Sequence, residues 1–235
     1  MVLSETMTSK AQTRPLSLQV DGAQLFPGVL DRRILADLIS SLAGQPAGQA
    51  GVRLFGLDAL RPLLAPGGVI GSIVAGLMAG APRPVRAILF DKTERANWSL
   101  GWHQDRVVAV KQRVEAEGFG PWTRKHGALH VAPPFDVIER MVTLRVHLDP
   151  VPATNAPLLI APGSHKLGRI SEPDVRAVVQ RCGAVACLAE PGDIWAYATP
   201  ILHASERAAE PRHRRVLQVD YATGDLPEGL EWLGV

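Results

Sequence analysis

Cysteine is scarce in this chain of 235 residues: there are two, Cys182 and Cys187, and no CxxC pair. Two thiols at that spacing suit packing residues in a reducing compartment better than a disulfide framework or a zinc site. Excess charge of one sign is also missing. The formal net charge is +2, too small to argue for nucleic acid or an anionic membrane as partner. The basic run "RHRR" at 212–215 has no interleaved aromatics. The opening "MVLSETMTSKAQTRP" lacks the apolar core of a secretory signal, so a cytoplasmic location is expected. Long uncharged runs are limited to one candidate, residues 63–81, which is about as long as a membrane-crossing helix requires. It even has Ser72, Gly76 and Gly80 at the spacing used by paired membrane helices. Five glycines, the start "LLAPGG" and the flanking Arg61 and Arg83 argue against a span. Ile70, Ile73, Val74 and Leu77 instead recur at i, i+3, i+4 and i+7, the stripe of a helix packed on a core.

The length suits one domain, with a helical part over 1–82, a strand-rich core over 83–222 and a tail over 223–235. "DRRILADLISSLAG" at 31–44 predicts a helix with Asp31 as N-cap and Gly44 as its stop. Strands are predicted at 83–91, around His103, and at 128–132, 140–149, 157–161, 184–189, 193–198 and 214–222. A short helix capped by Ser171 interrupts them, and the polar, glycine-bearing stretch 111–126 reads as a long loop. Short strands with Gly/Pro turns after a helical start imply a mainly β protein, an antiparallel sandwich or jelly roll with helices outside.

Within it, "LGWHQDRVV" at 100–108 places His103 and Asp105 two residues apart, on one face of a strand if the strand continues. Taken alone, the pair could equally be two polar residues facing water. Two histidines and one carboxylate leave three positions of an octahedron open, the arrangement of non-haem Fe(II) oxygenases. A third ligand would come from a later strand, and His203 in "TPILHASERAAEPRHRRVLQVDY" is the best placed. Eleven residues on, Arg214 opens another strand, and a guanidinium fork suits the distal carboxylate of 2-oxoglutarate.

These pieces, with "TNAPLLIAPGSHKLG" at 154–168, "PGDIWAY" at 191–197, "LHAS" at 202–205 and "RRVLQVDY" at 214–221, resemble the phytanoyl-CoA dioxygenase family of Fe(II)- and 2-oxoglutarate-dependent oxygenases. The resemblance runs over about 85–222 and implies a double-stranded β-helix. It implies His103, Asp105 and His203 as iron ligands, Arg214 as partner of the 2-oxoglutarate C5 carboxylate, and Ser205 as the hydroxyl assisting it. It places Lys92 near the cosubstrate, on the strand before the HxD motif. Arg145 stands where some members have an aromatic, as a second carboxylate clamp or in a buried ion pair. The implied reaction consumes O2 and 2-oxoglutarate, releases succinate and CO2, and oxidises a C–H bond of a small molecule. Related halogenases lack the carboxylate that Asp105 supplies, so hydroxylation is expected rather than halogenation.

Other readings are open at single residues. Arg215 replaces Arg214 if the strand register slips by one. His165 belongs to the "PGSHK" turn and His147 to a core strand. His126, His130 and His213 read as loop or surface residues, though His130 is also a pocket candidate with Trp102, Phe119 and Trp122, because 111–136 is long enough to overhang a mouth. Lys111, Arg113, Arg124 and Lys125 there suit an anionic substrate or merely a solvated loop. Two rival classes are a cupin-like metal-binding module without oxygenase activity and a serine hydrolase using Ser164. The hydrolase lacks a GxSxG elbow.

Overall fold

The computed structural model describes residues 14–46 and 49–235, so most of the opening segment read for a secretory signal lies outside the described residues. Helix α1 (Leu18–Asp21) is capped by Ser17 and stopped by Gly22, and strand β1 (Ala23–Phe26) follows. Helix α2 (Arg32–Leu42) starts at the predicted cap, where Asp31 Oδ1 accepts from Ile34 N at 2.8 Å. After β2 (Val52–Leu54), the uncharged stretch divides into α3 (Arg61–Leu64) and α4 (Gly71–Leu77). Ile70 and Val74 are fully buried. The turn between the two helices is tight: a Cβ on Gly71 would lie 2.0 Å from the Ala65 carbonyl oxygen. Among the described residues no helix is long and apolar enough to cross a membrane.

Strands then dominate: β3 (Arg83–Lys92), β4 (Leu100–His103), β5 (Val108–Val110), β6 (Trp122–Lys125) and β7 (Ala128–Val131). Helix α5 (Phe135–Glu139) leads into β8 (Val142–His147) and β9 (Leu158–Ile160), and α6 (Val175–Cys182) precedes β10 (Val185–Cys187). The last three strands are β11 (Ile194–Ala198), β12 (His203–Ser205) and β13 (Arg214–Ala222). They form a six-stranded sheet ordered β1-β11-β8-β13-β3-β2, a four-stranded sheet ordered β10-β9-β12-β4, and a three-stranded sheet ordered β5-β7-β6. All named pairings are antiparallel.

Alternation along the strands of the large sheet divides its two faces by chemistry. One face sends Leu89, Leu144, Val146, Ile194, Leu217 and Tyr221 into a core shared with Leu38 and Leu42 of α2, Leu64 of α3 and Val74 of α4. The other face carries Arg86 and Lys92 from β3, Thr143, Arg145 and His147 from β8, and Arg214, Gln218 and Asp220 from β13, every one of them buried. A sheet burying that many polar groups on one face has been built around a ligand space rather than around oil, because unpaired buried polar groups are costly.

Several expectations change here. The part expected to be helical, 1–82, contributes edge strands β1 and β2 to the large sheet. The loop expected over 111–126 contains β6, which folds back on β7. The tail is packed: Leu226, Leu230 and Trp232 are buried, and Leu233 N and Gly234 N donate to Ala109 O and Val85 O.

Gly192, in the "PGD" of the resemblance, has a local physical role. Its φ is +92°, and a Cβ there would meet Leu30 O at 2.5 Å. Gly192→Ala is expected to destabilise the fold by roughly 1–3 kcal/mol from backbone strain alone, with the clash added. An unchanged urea midpoint would contradict this.

Candidate metal centre

Strand β4 ends at His103, so Asp105 is not on a strand, and the shared-face explanation of their convergence does not hold. What aims them together is Gln104, buried between them. Its Nε2 donates to Gly168 O (3.0 Å) and Pro200 O (2.8 Å), and its Oε1 accepts from Ile170 N (2.9 Å). Fixing the middle residue on the side away from His203 leaves both neighbours on the side facing it. His203 opens β12 directly opposite His103, with ring centroids 4.3 Å apart. One ligand atom from each of His103, Asp105 and His203 lies within 4.8 Å of the others.

Both imidazoles are held the same way. His103 Nδ1 lies 2.7 Å from Gly101 O, and His203 Nδ1 lies 3.0 Å from Ile201 O. Each carbonyl selects the Nδ1–H tautomer and leaves Nε2 as a free lone pair, the orientation a metal ligand requires. Burial and the neighbouring His103 push the His203 pKa down to about 4, so it is neutral at ordinary pH. Burial alone raises the Asp105 pKa, but Arg86, with His203 and His103, outweighs it and holds the carboxyl below the usual range. Arg86 is itself buried, lying 3.6 Å from Asp105 and paired through Nε to Asp220. Asp220 also accepts from Thr143 Oγ1 at 3.0 Å. Arg86 and Asp220 are site residues that sequence reasoning missed.

Further along the same inner face lies a second cluster. Arg214 is 2% exposed and donates from Nη1 to Ala156 O at 2.7 Å. Lys92, its cross-strand partner, donates to Ser205 Oγ at 3.1 Å and Glu206 O. Arg145 donates to Gln218 Oε1 at 2.9 Å and sits 5.3 Å over the Phe90 ring. It makes no ion pair among the described residues, so of the two alternatives open for it the buried pair with an acid is not seen there. Burial and Arg145 push the Arg214 pKa down to about 9, and burial with Arg214 and Arg145 pushes Lys92 down to about 7. Arg214 Nε, Arg145 Nε and both ring nitrogens of His147 are buried without partners among the described residues. Three crowded cations and orphaned polar atoms describe a hole for an anion, and a dicarboxylate fits that chemistry. Arg215 faces the other way, paired to Asp149 at 2.7 Å. The register therefore puts Arg214 inside.

His147 yields a pH prediction. Burial, then Arg145 and Arg214, hold its pKa well below 6.5, so the folded chain binds one proton fewer than the unfolded chain as pH falls below that value. Stability should drop on acidification from pH 6.5, by about 1.4 kcal/mol per pH unit for this residue. In metal-free protein, His147→Phe should show a shallower fall of the denaturant midpoint over pH 6.5–5. Equal slopes would contradict a buried neutral imidazole.

The pocket candidates are placed as follows. Trp102, next to His103 and therefore on the opposite strand face, packs on Ile170, Val178, Val179 and Leu202. Phe119 and Trp122 join an apolar cluster with Leu226 and Trp232 of the C-terminal segment. Phe119 lines a depression of about 390 Å³ there, together with Leu226 and Trp232. His130 is fully buried on β7, not on a surface loop. His213 pairs with Asp91 at 2.7 Å. Cys182 and Cys187 are free thiols. Ser164 is buried, donating to Ala161 O (2.7 Å) and accepting from Leu202 N (2.9 Å), which ties the turn to β12 and leaves no nucleophile. Fluorophosphonate labelling of Ser164 should fail, and Ser164→Ala should cost about 1–3 kcal/mol of stability by orphaning a buried N–H.

A β-helix whose polar interior ends in two histidines and a carboxylate is the build of the non-haem iron oxygenases. The sequence matches the family Phytanoyl-CoA dioxygenase (PhyH) over residues 67–216, more than half of the chain. The chain belongs to that family of Fe(II)- and 2-oxoglutarate-dependent oxygenases. No curated protein matches the sequence. Among solved structures, EctD from S. alaskensis with 2-oxoglutarate and 5-hydroxyectoine is similar at TM-score 0.67 and 16% identity, covering 99% of this chain and 85% of that one. The non-heme alpha ketoglutarate dependent epimerase SnoN from nogalamycin biosynthesis is similar at TM-score 0.64 and 18% identity, covering 88% and 79%. HygX from Streptomyces hygroscopicus with nickel and 2-oxoglutarate bound is similar at TM-score 0.58 and 15% identity, covering 88% and 84%. At these identities the likeness is one of fold, the double-stranded β-helix.

Proposed function

We propose that this oxygenase acts on a C–H bond of a small molecule, and that hydroxylation is its reaction. In this reading His103 Nε2, His203 Nε2 and one oxygen of Asp105 hold Fe(II), while Arg214, Ser205, Lys92 and Arg145 receive 2-oxoglutarate. The observation that carries it is the convergence of three ligand atoms within 4.8 Å, with both imidazoles turned so that Nε2 is free. Bound iron and cosubstrate supply the oxidising power, through reduction of O2 and decarboxylation of 2-oxoglutarate.

The residues of the chain bind and orient. The Arg214 fork would take the C5 carboxylate, a reading supported by its buried, unpartnered Nε among the described residues, and Lys92 holds the Ser205 hydroxyl that would assist it. Arg86 holds Asp105 ionised, so that the carboxylate is ready for a cation. The apolar outer core keeps water from the back of the sheet. The presence of Asp105 supports hydroxylation over halogenation, since a carboxylate occupies the position that a halide would need. SnoN, by its description an epimerase, marks the alternative outcome on the same fold. Succinate release dependent on Fe(II), O2 and 2-oxoglutarate, and abolished by a chelator, is the expected result. Metal uptake without any 2-oxoglutarate consumption would leave only a metal-binding module. Mass-spectrometric gain of one oxygen by the substrate tests hydroxylation against isomerisation.

A further inference from the structure

Beside the candidate metal centre, on the side away from Arg214, lies a set of groups that neither iron nor 2-oxoglutarate accounts for. Arg53 pairs across to Ile88 on β3, so its side chain shares the inner face with Ile88 and Arg86. Its Nη1 is pinned, donating to Gly51 O at 2.9 Å and contacting His126 Nδ1 at 2.7 Å. The opposite edge of the guanidinium is free. Nε is buried without a partner, and Nη2 makes no hydrogen bond among the described residues. An Nε/Nη2 edge is the fork that takes both oxygens of a carboxylate.

The pin comes from the β6–β7 hairpin. His126 at φ +48° and Gly127 at φ +82° form the two-residue turn between Lys125 and Ala128. Positive φ at both turn residues is the hairpin geometry that usually recruits Asn-Gly. A histidine there is strained, and its contact with Arg53 ties the hairpin to the sheet edge. Leu129 and Val131 of β7 point into an apolar cluster, so His130 points the other way, on the face shared with Lys125. His130 Nδ1 lies 3.1 Å from Ala128 O, while Nε2 is buried with no partner among the described residues. Burial and the charges of Arg86, Lys125 and Arg53 push its pKa down to about 4, which leaves Nε2 an acceptor.

Charge completes the picture. Arg86 is committed to Asp220 and Asp105. With Asp105 committed in turn to a metal, Arg53 and Lys125 have no anion left, and neither makes an ion pair among the described residues. We infer that the substrate of this oxygenase carries a carboxylate, held by the free edge of Arg53 with Lys125 nearby, while His130 Nε2 accepts from an O–H or N–H of the same molecule. This rests on reading His103, Asp105 and His203 as the iron site.

The test is calorimetric titration of protein loaded anaerobically with Fe(II) and saturating 2-oxoglutarate, which occupies the Arg214 pocket. The probes are benzoate and 3-phenylpropionate, each against its primary amide. At least one acid should bind tenfold or more tightly than its amide. Arg53→Gln should erase the preference, and Arg53→Lys should restore part of it, keeping charge without the fork. Should Arg53→Gln not fold, His126→Ala, which only releases the pin, should still reduce the preference several-fold. Equal binding of acid and amide, binding of neither, or a preference that survives these changes overturns the inference. The visible iron–2-oxoglutarate band, recorded on the same samples, separates the two readings. No band in the unaltered protein removes the iron site, whereas a band without acid preference removes only the anionic substrate.

Discussion

Arg214→Ala should lose 2-oxoglutarate while keeping its metal. Truncating one partner of a buried, hydrogen-bonded charge pair costs on the order of 2–5 kcal/mol. At about 1.4 kcal/mol per factor of ten, that is a drop of roughly thirty-fold to a few thousand-fold in cosubstrate affinity. The guanidinium is buried and its Nε has no partner among the described residues, and the neighbouring Lys92 and Arg145 keep positive charge nearby without its fork. Arg214→Lys should recover only part, because an ammonium keeps the charge and loses the planar fork. Arg215→Ala serves as the register control. Its partner is Asp149 on the outer side, and a part-exposed pair of this kind contributes little, about 0–1 kcal/mol. The measurement is succinate release against 2-oxoglutarate concentration in the three variants. If Arg215→Ala were the variant that lost 2-oxoglutarate, the inner face of β13 would be misassigned by one residue.

The second large effect is expected at the histidines. His203→Ala removes one of three converging ligand atoms and leaves Asp105 facing His103 alone. Four-ligand zinc sites contribute roughly 10–16 kcal/mol in all, so one ligand is worth on the order of 3 kcal/mol, or about a hundredfold in metal affinity. His103→Ala should behave alike. The folds of the two variants need not suffer equally, since His203 is buried in β12 between β4 and β9, whereas His103 ends a strand. Metal content after dialysis, compared with the thermal midpoint of the same variant, distinguishes a lost ligand from a lost fold. A variant that keeps both iron and turnover would show that its histidine is not a ligand.

Much of this was visible in the sequence because period-two alternation survives translation into structure. "RRVLQVDYA" separates cleanly into inner Arg214, Gln218 and Asp220 and outer Leu217, Val219 and Tyr221. The same alternation, applied to "RPVRAILFDK", puts Arg86 on the face of Lys92, so Arg86 was findable although only Lys92 was singled out. Hairpin β6–β7 was hidden for a physical reason. "WTRK" has no apolar alternation, and its turn is His-Gly rather than Asn-Gly. Arg53 was invisible because β2 is three residues long, and an arginine on so short an edge strand looks like any solvated one. The convergence of His103 with Asp105 was anticipated for the wrong reason, since Gln104, not a strand, sets it.

The central claim is that His103, Asp105 and His203 hold iron beside a 2-oxoglutarate pocket gripped by Arg214. Anaerobic addition of Fe(II) and 2-oxoglutarate to the purified protein tests it most directly. A visible charge-transfer band should appear, saturate at one iron per chain, and vanish in His203→Ala. In Arg214→Ala it should require far more 2-oxoglutarate to develop. No band in the unaltered protein, or an undiminished band in His203→Ala, would contradict the account.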